Sequence, residues 1–186
     1  IKAQEAGVDA IVAEGFEAGG HNGREETTTL CLVPLIKASV KIPVIAAGGI
    51  SGGAAMAAVL CLGADGVQMG SRFAATQESS AHEGFKQEIV KAGDGATALT
   101  LKEITPVRLL KNSFYSQVQQ AYERGADKEA LSTLLGRGRA KKGMFEGDLD
   151  EGELEIGQVS AQINGIISAK EVVEQTIKEC LQVLQN

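Results

Sequence analysis

The chain has 186 residues, 44% hydrophobic and 23% charged, enough for the packed core of one large domain or two small ones and not the composition of a disordered tail. A formal net charge of −6 argues against a DNA-coating surface or an anionic-membrane anchor, so neither a nucleic acid nor a membrane is expected as a partner. Three widely spaced cysteines, Cys31, Cys61 and Cys180, fit neither a zinc motif nor a disulfide framework; a reducing cytoplasm is the simplest home, and no apolar stretch reaches the length of a membrane span.

Residues 1–7 read as the tail of a helix already under way, with Gly7 as its C-terminal cap, and the chain therefore reads as a piece of a longer protein. Residues 8–13 form a short apolar run that leads into a glycine-rich stretch, 15–23. Residues 29–40 are predicted helical, turning Leu30, Val33, Leu35 and Ile36 towards a core. A second apolar run, 42–47, leads into the glycines of 48–53, and a helix over 54–62 follows until Gly63 stops it. A third run, 66–69, leads into Gly70-Ser71-Arg72-Phe73. Each run is short, partly β-branched and bounded by glycine, as expected of a strand buried on both faces. Alternating strand and helix with short connections predicts parallel strands joined by crossovers: the fold class is α/β.

After about Thr76 the texture changes. Residues 79–92, 106–124, 128–135 and 168–184 carry helical apolar spacing between polar turns. Pro106 suits the first turn of its helix, and Ser168 with Glu171 has the spacing of a capping box. The basic, glycine-rich stretch 136–143 has two readings, a solvated loop or an anion site; the loop is preferred, because loose charge runs are usually solvated.

All three glycine-rich segments follow the carboxyl ends of strands, the edge at which parallel α/β proteins bind ligands. Glycines let backbone N–H groups approach an anion without side-chain obstruction, and a helix N-terminus favours negative charge. Gly48-Gly49 and Gly70-Ser71, the second with Arg72 beside it, are thus candidates for holding a phosphate, although each pair could also serve only a tight turn. Neither a P-loop nor a dinucleotide-binding glycine fingerprint is present. His21 stands in a glycine-rich loop after a strand, where an imidazole can give or take a proton near neutral pH; an ordinary loop residue is the competing reading. Glu14, at a strand end, is placed to bond a ligand edge, and Glu17 flanks the same loop. His82 reads as exposed at a helix start, and the cysteines as core or near-surface residues, not nucleophiles.

Three blocks, residues 12–23, 43–50 and 66–73, in this order and at these separations, resemble the flavin-dependent nitronate monooxygenase and enoyl-acyl-carrier-protein reductase II family (2-nitropropane dioxygenase-like). The likeness is dense over roughly the first 80 residues and weaker through Gly147-Asp148 and Gly157-Gln158 to the closing helix, where it leans towards the reductase branch. It implies an FMN-binding (β/α)8 TIM barrel of which the three strands here are the last three. Residues 1–76 would then be the C-terminal portion of the barrel, and residues 77–186 an appended helical region with a closing helix. By the same resemblance His21 is the active-site histidine, and Glu14, Gly19, Gly49, Gln68, Met69, Gly70 and Ser71 contact FMN, with Gly48 adjacent. Many nitronate monooxygenases have glutamine at the position of Glu14, and serine replaces the commoner threonine at Ser71. No metal site is implied. The implied function is an NAD(P)H-dependent, FMN-mediated reduction of a trans-2-enoyl thioester, small or bound to acyl-carrier protein, with a homodimer left open. The alternatives are oxidation of alkyl nitronates with O2, and a fragment that binds phosphate without turnover.

Overall fold

Two small sheets, one parallel and one antiparallel, organise the molecule. The structure, a computed structural model, describes residues 1–185. The chain runs α1 (Lys2–Glu5), β1 (Ile11–Glu14), β2 (Gly20–His21), α2 (Thr29–Ser39), β3 (Val44–Ala47), α3 (Gly53–Cys61), β4 (Gly66–Gln68) and α4 (Ser71–Ala74). It continues through α5 (Glu83–Lys91), β5 (Thr97–Thr100), β6 (Val107–Leu110), α6 (Ser113–Glu123), α7 (Lys128–Leu135), α8 (Arg139–Met144), a 3-10 turn at Gln158–Gln162, and α9 (Ala169–Gln185). Among the described residues no helix is long and apolar enough to cross a membrane.

The parallel sheet has the order β1-β3-β4, so each strand lies beside the one before it, with α2 and α3 as crossovers. Ala13 sits opposite Ala46, and Ala47 opposite Gln68. Ala13, Val44 and Ala46 pack with Val33 of α2 and Val59 of α3 into one cluster. The expectation that these strands are buried on both faces holds at β3, where the oppositely directed Ala46 and Ala47 are both buried, and fails at β1. Side chains alternate across a strand, and on β1 Ala13 is buried while Val12 is 46% exposed, because that face of β1 lies uncovered. Gly48, at the end of β3, has φ +82°, and a Cβ there would lie 2.6 Å from the Gly15 carbonyl oxygen; the loops after β1 and β3 meet only because this residue is glycine.

The antiparallel sheet, in the order β2-β6-β5, corrects the helical reading of residues 77–186. All four residues of β6 are buried, and Pro106 precedes a strand instead of opening a helix; its carbonyl accepts from the Asn22 N–H at 2.8 Å. The run Val107-Arg108-Leu109-Leu110 is short enough to suit either structure, and the pairings with β2 and β5 decide it. The helix predicted from residue 106 starts at Ser113, where the Asn112 side chain accepts from the Tyr115 N–H. The other predicted helices stand within a few residues of their expected bounds, and Ser168 and Glu171 form the capping box, with the Ser168 hydroxyl donating to Glu171 Oε2 at 2.7 Å. From that cap α9 lies across α3. The crossing is close at Gly53, where a Cβ would be 2.3 Å from the Thr176 carbonyl oxygen.

Candidate active site

A cavity of about 340 Å3 opens at the carboxyl ends of the three parallel strands. β1 delivers Glu14 to it, and the loop after β1 delivers Gly19. The turn after β3 brings Gly48 and Gly49, β4 ends on Gln68, and Gly70 and Ser71 follow at the start of α4. Seven residues expected at one ligand therefore share one cavity. Met69 does not join them. Alternation along the strand sends Gln68 to the cavity and Met69 to the sheet core with Ala13 and Val59. His21 also lies off the lining. Its side chain is 69% exposed, and Nδ1 stands 3.9 Å from Oε1 of Glu155, which does line the cavity.

The loop between β1 and β2 is tied down on both sides. Glu17 accepts from the Thr29 N–H and from the Thr29 hydroxyl at 3.0 Å, placing a carboxylate at the N-terminus of α2. The Arg108 guanidinium, on the buried strand β6, donates from Nε and Nη2 to the Phe16 carbonyl at 3.1 and 3.0 Å and stands over the Phe16 ring. The Gln158 N–H donates to the Glu17 carbonyl, and the Gly157 N–H to the Ser71 hydroxyl, both at 2.9 Å. The loop is thus held between the parallel sheet and the segment beyond residue 150.

That segment supplies much of the opposite wall. Glu155, Ile156 and Gly157 line the cavity with Phe85 of α5, Met144 of α8 and Phe145. The Glu153–Ile156 stretch alternates: Leu154 and Ile156 enter an apolar cluster with Phe85 and Ile89, and the two glutamates take the other side. Burial pushes Glu155 above the usual carboxylate range, with the His21 charge pulling the other way. Burial, reinforced by the neighbouring Glu155, pushes Glu153 up to about 7, and Arg139 offsets part of that rise. Glu14 is also raised, by burial. These shifts favour neutral carboxyls beside a cavity with no cationic side chain in its wall among the described residues.

Arg72 turns away from the cavity. Its Nη2 donates to the carbonyls of Ala75 and Gly165 at 2.7 Å each, so the guanidinium ties α4 to the segment before α9 and is not available to a phosphate after β4. The basic stretch 136–143 is not an open loop either. Arg139 donates to the Leu134, Leu135 and Glu151 carbonyls and stacks on Phe114, while Lys141 and Lys142 pair with Glu146 and Asp148. His82 caps α5, accepting at Nδ1 from the Gly84 N–H. Glu155 and the apolar wall escaped the sequence reading. The one local signal for Glu155 was the polar–apolar alternation Glu-Leu-Glu-Ile before Gly157.

A family model described as nitronate monooxygenase matches residues 1–179. A probable nitronate monooxygenase of Staphylococcus saprophyticus is 31% identical over an alignment covering 99% of this chain and 54% of that protein. Among solved structures, FabK from Thermotoga maritima matches 99% of this chain and 58% of its own, with a TM-score of 0.92 and 39% identity. Nitroalkane oxidase from Streptomyces ansochromogenes matches 99% of this chain and 55% of its own, with a TM-score of 0.78 and 32% identity. The chain spans about half the length of the curated relatives it matches.

Proposed function

The chain belongs to the nitronate monooxygenase family, and on that premise we propose that its cavity binds FMN in an enoyl-thioester reductase. In this reading the sheet β1-β3-β4 is the last three strands of a (β/α)8 barrel. A barrel of this kind takes about 250 residues. The half-exposed Val12 supports the reading, since a further layer of chain would cover that face of β1.

The residues fit the cofactor. A Cβ built on Gly70 meets nothing within 4 Å, so that residue leaves space in front of the backbone, and Gly49 takes a φ of +71° that favours glycine, with the Glu17 side chain 3.6 Å from where its Cβ would lie. The N–H groups of Gly48–Gly49 and Gly70–Ser71 would hold the phosphate, with the Ser71 hydroxyl beside them, and Glu14 and Gln68 would bond the edge of the flavin or its ribityl chain. When bound, FMN supplies hydride transfer from NAD(P)H to the β-carbon of a trans-2-enoyl thioester. His21 would orient the thioester and give the proton that the α-carbon takes up as the β-carbon accepts hydride. Phe85, Met144 and Phe145 turn apolar surface to the same space.

The convergence of Glu14, Gly48–Gly49, Gln68 and Gly70–Ser71 on one cavity carries the proposal. The reductase branch is supported by the higher TM-score and identity of FabK, an enoyl-ACP reductase II, over nitroalkane oxidase. The second reading, oxidation of alkyl nitronates with O2, is supported by the family description and by the names of the relatives. Anaerobic NAD(P)H oxidation with a crotonyl thioester, measured beside oxygen uptake with propyl-2-nitronate, separates the two. Turnover in the first assay alone is expected, and turnover in the second alone would replace the reductase by the monooxygenase. An intact protein with no yellow flavin spectrum after FMN addition would overturn both.

A further inference from the structure

We propose that Glu155 is a positioning residue for His21, fixing which imidazole nitrogen carries the proton. The inference rests on the reading above, in which His21 exchanges a proton with a substrate at the cavity. Along one edge of β6, His21 pairs with Val107 and Gly20 with Arg108, and the next residue, Leu109, is bridged by Glu155. Two distant chain segments therefore meet end to end on a single strand edge, which fixes the carboxylate beside the imidazole. Gly20 makes the room. It has φ +80°, and a Cβ there would sit 2.9 Å from Glu155 Oε2.

The Glu155 side chain is 18% exposed, against 69% for His21. Among the described residues the polar partner of its carboxylate is His21 Nδ1, 3.9 Å from Oε1. Glu153, on the same side of its segment, lies within the influence of Arg139, which leaves Glu155 to the histidine. Burial raises the Glu155 carboxyl, but once ionised it can only accept, so it draws the proton of a neutral imidazole to Nδ1 and leaves Nε2 with the lone pair. At 3.9 Å the contact is of ion-pair length and longer than a hydrogen bond, and such contacts at a site tighten once a ligand is bound. In the protonated ring Nε2–H is the donor and Glu155 carries the balancing charge. Proton exchange with substrate then takes place at Nε2 in either direction. His82 is a built-in reference of the opposite kind. Its Nδ1 accepts from the Gly84 N–H at 3.1 Å, so its own proton lies on Nε2.

The test is a proton–nitrogen correlation spectrum of the two histidines at about pH 8, where a free imidazole is neutral, recorded with and without added FMN. His21 is expected in the Nδ1–H form and His82 in the Nε2–H form. Glu155→Leu should return His21 mostly to Nε2–H, whereas Glu155→Gln, whose amide oxygen still accepts, should keep Nδ1–H. In the reductase assay Glu155→Leu should lower kcat about tenfold and move KM by less than about twofold, the mark of an interaction used in the transition state and not in binding. An Nε2–H His21 in the unaltered protein overturns the proposal whether or not the leucine variant folds, as does an Nδ1–H form that survives Glu155→Leu. The tautomer is read without turnover. The expected pair of tautomers in a protein that binds no flavin would therefore sustain the pairing and sink the flavin reading, and the reverse result would do the opposite.

Discussion

Around the cavity, the β1-β3-β4 side presents mostly backbone and the side built from α5 to Val159 presents mostly side chains. The first wall is Gly19, Gly48, Gly49 and Gly70, with Glu14, Gln68 and Ser71 between them; the second is Phe85, Met144, Phe145, Glu155 and Ile156. Packing differs in the same sense. One face of β1 is open at Val12, whereas all four residues of β6 are buried, Arg108 included. A glycine wall suits an anion that any N–H can hold, and it leaves little to choose between substrates. On the proposed function, a wall of side chains is where a choice between an enoyl thioester and a nitronate would be made.

His21 lies off both walls, following the first in sequence and tied to the segments of the second by pairing, since β2 is held by β6. His21→Ala is therefore the variant of largest expected effect. Turnover should fall at least about a hundredfold with the flavin spectrum retained, because the imidazole does not line the cavity. Loss of flavin together with turnover, read in the absorbance of the purified variant, would show that the antiparallel sheet holds the cofactor and would erase the division between the walls.

Within the glycine wall, sterics and ligand contact can be separated. Gly48→Ala places a Cβ 2.6 Å from the Gly15 carbonyl oxygen at φ +82°, and should cost about 3 kcal/mol in urea unfolding. Gly70 has φ −86°, and its Cβ would meet no neighbour within 4 Å. Gly70→Ala should thus change stability by less than about 0.5 kcal/mol while weakening FMN binding, measured by flavin fluorescence. Equal stability losses in the two variants would mean that the second glycine also serves the fold.

The glycine wall was legible in the sequence because every feature of it is local. An apolar run, a glycine pair and a helix start follow one another in order, and parallel α/β geometry places all such edges together. The second wall depends on pairings between distant segments, such as Glu155 beside Leu109 and β6 between β2 and β5, which no local pattern encodes. Pro106 shows the cost: a proline before an apolar run fits the first turn of a helix as well as the start of a strand, and only the buried sheet distinguishes them. Arg72 misled in a related way. Its sequence position beside Gly70-Ser71 suggested a phosphate partner, whereas its length lets it reach the Gly165 carbonyl instead.

The smallest expected effect concerns the charge buried behind the second wall. Glu153 is raised from 4.5 to about 7, first by burial and then by Glu155. The folded chain therefore binds more protons at this site than the unfolded chain between about pH 4.5 and pH 7. Below that window the group adds no penalty. As pH rises through it, the folded chain must ionise a largely buried carboxyl that the unfolded chain ionises in water, and stability falls until both states are ionised. The full shift corresponds to about 3 kcal/mol at 1.36 kcal/mol per unit, and partial solvent screening reduces the expected loss to about 1 kcal/mol. Glu153→Gln keeps the shape of the neutral acid at every pH, so urea unfolding should match the parent near pH 4.5 and exceed it by about that amount at pH 8. Two stability curves that run parallel across the window would place the Glu153 carboxylate in contact with water, and the side-chain wall would then be as open as the sheet face at Val12.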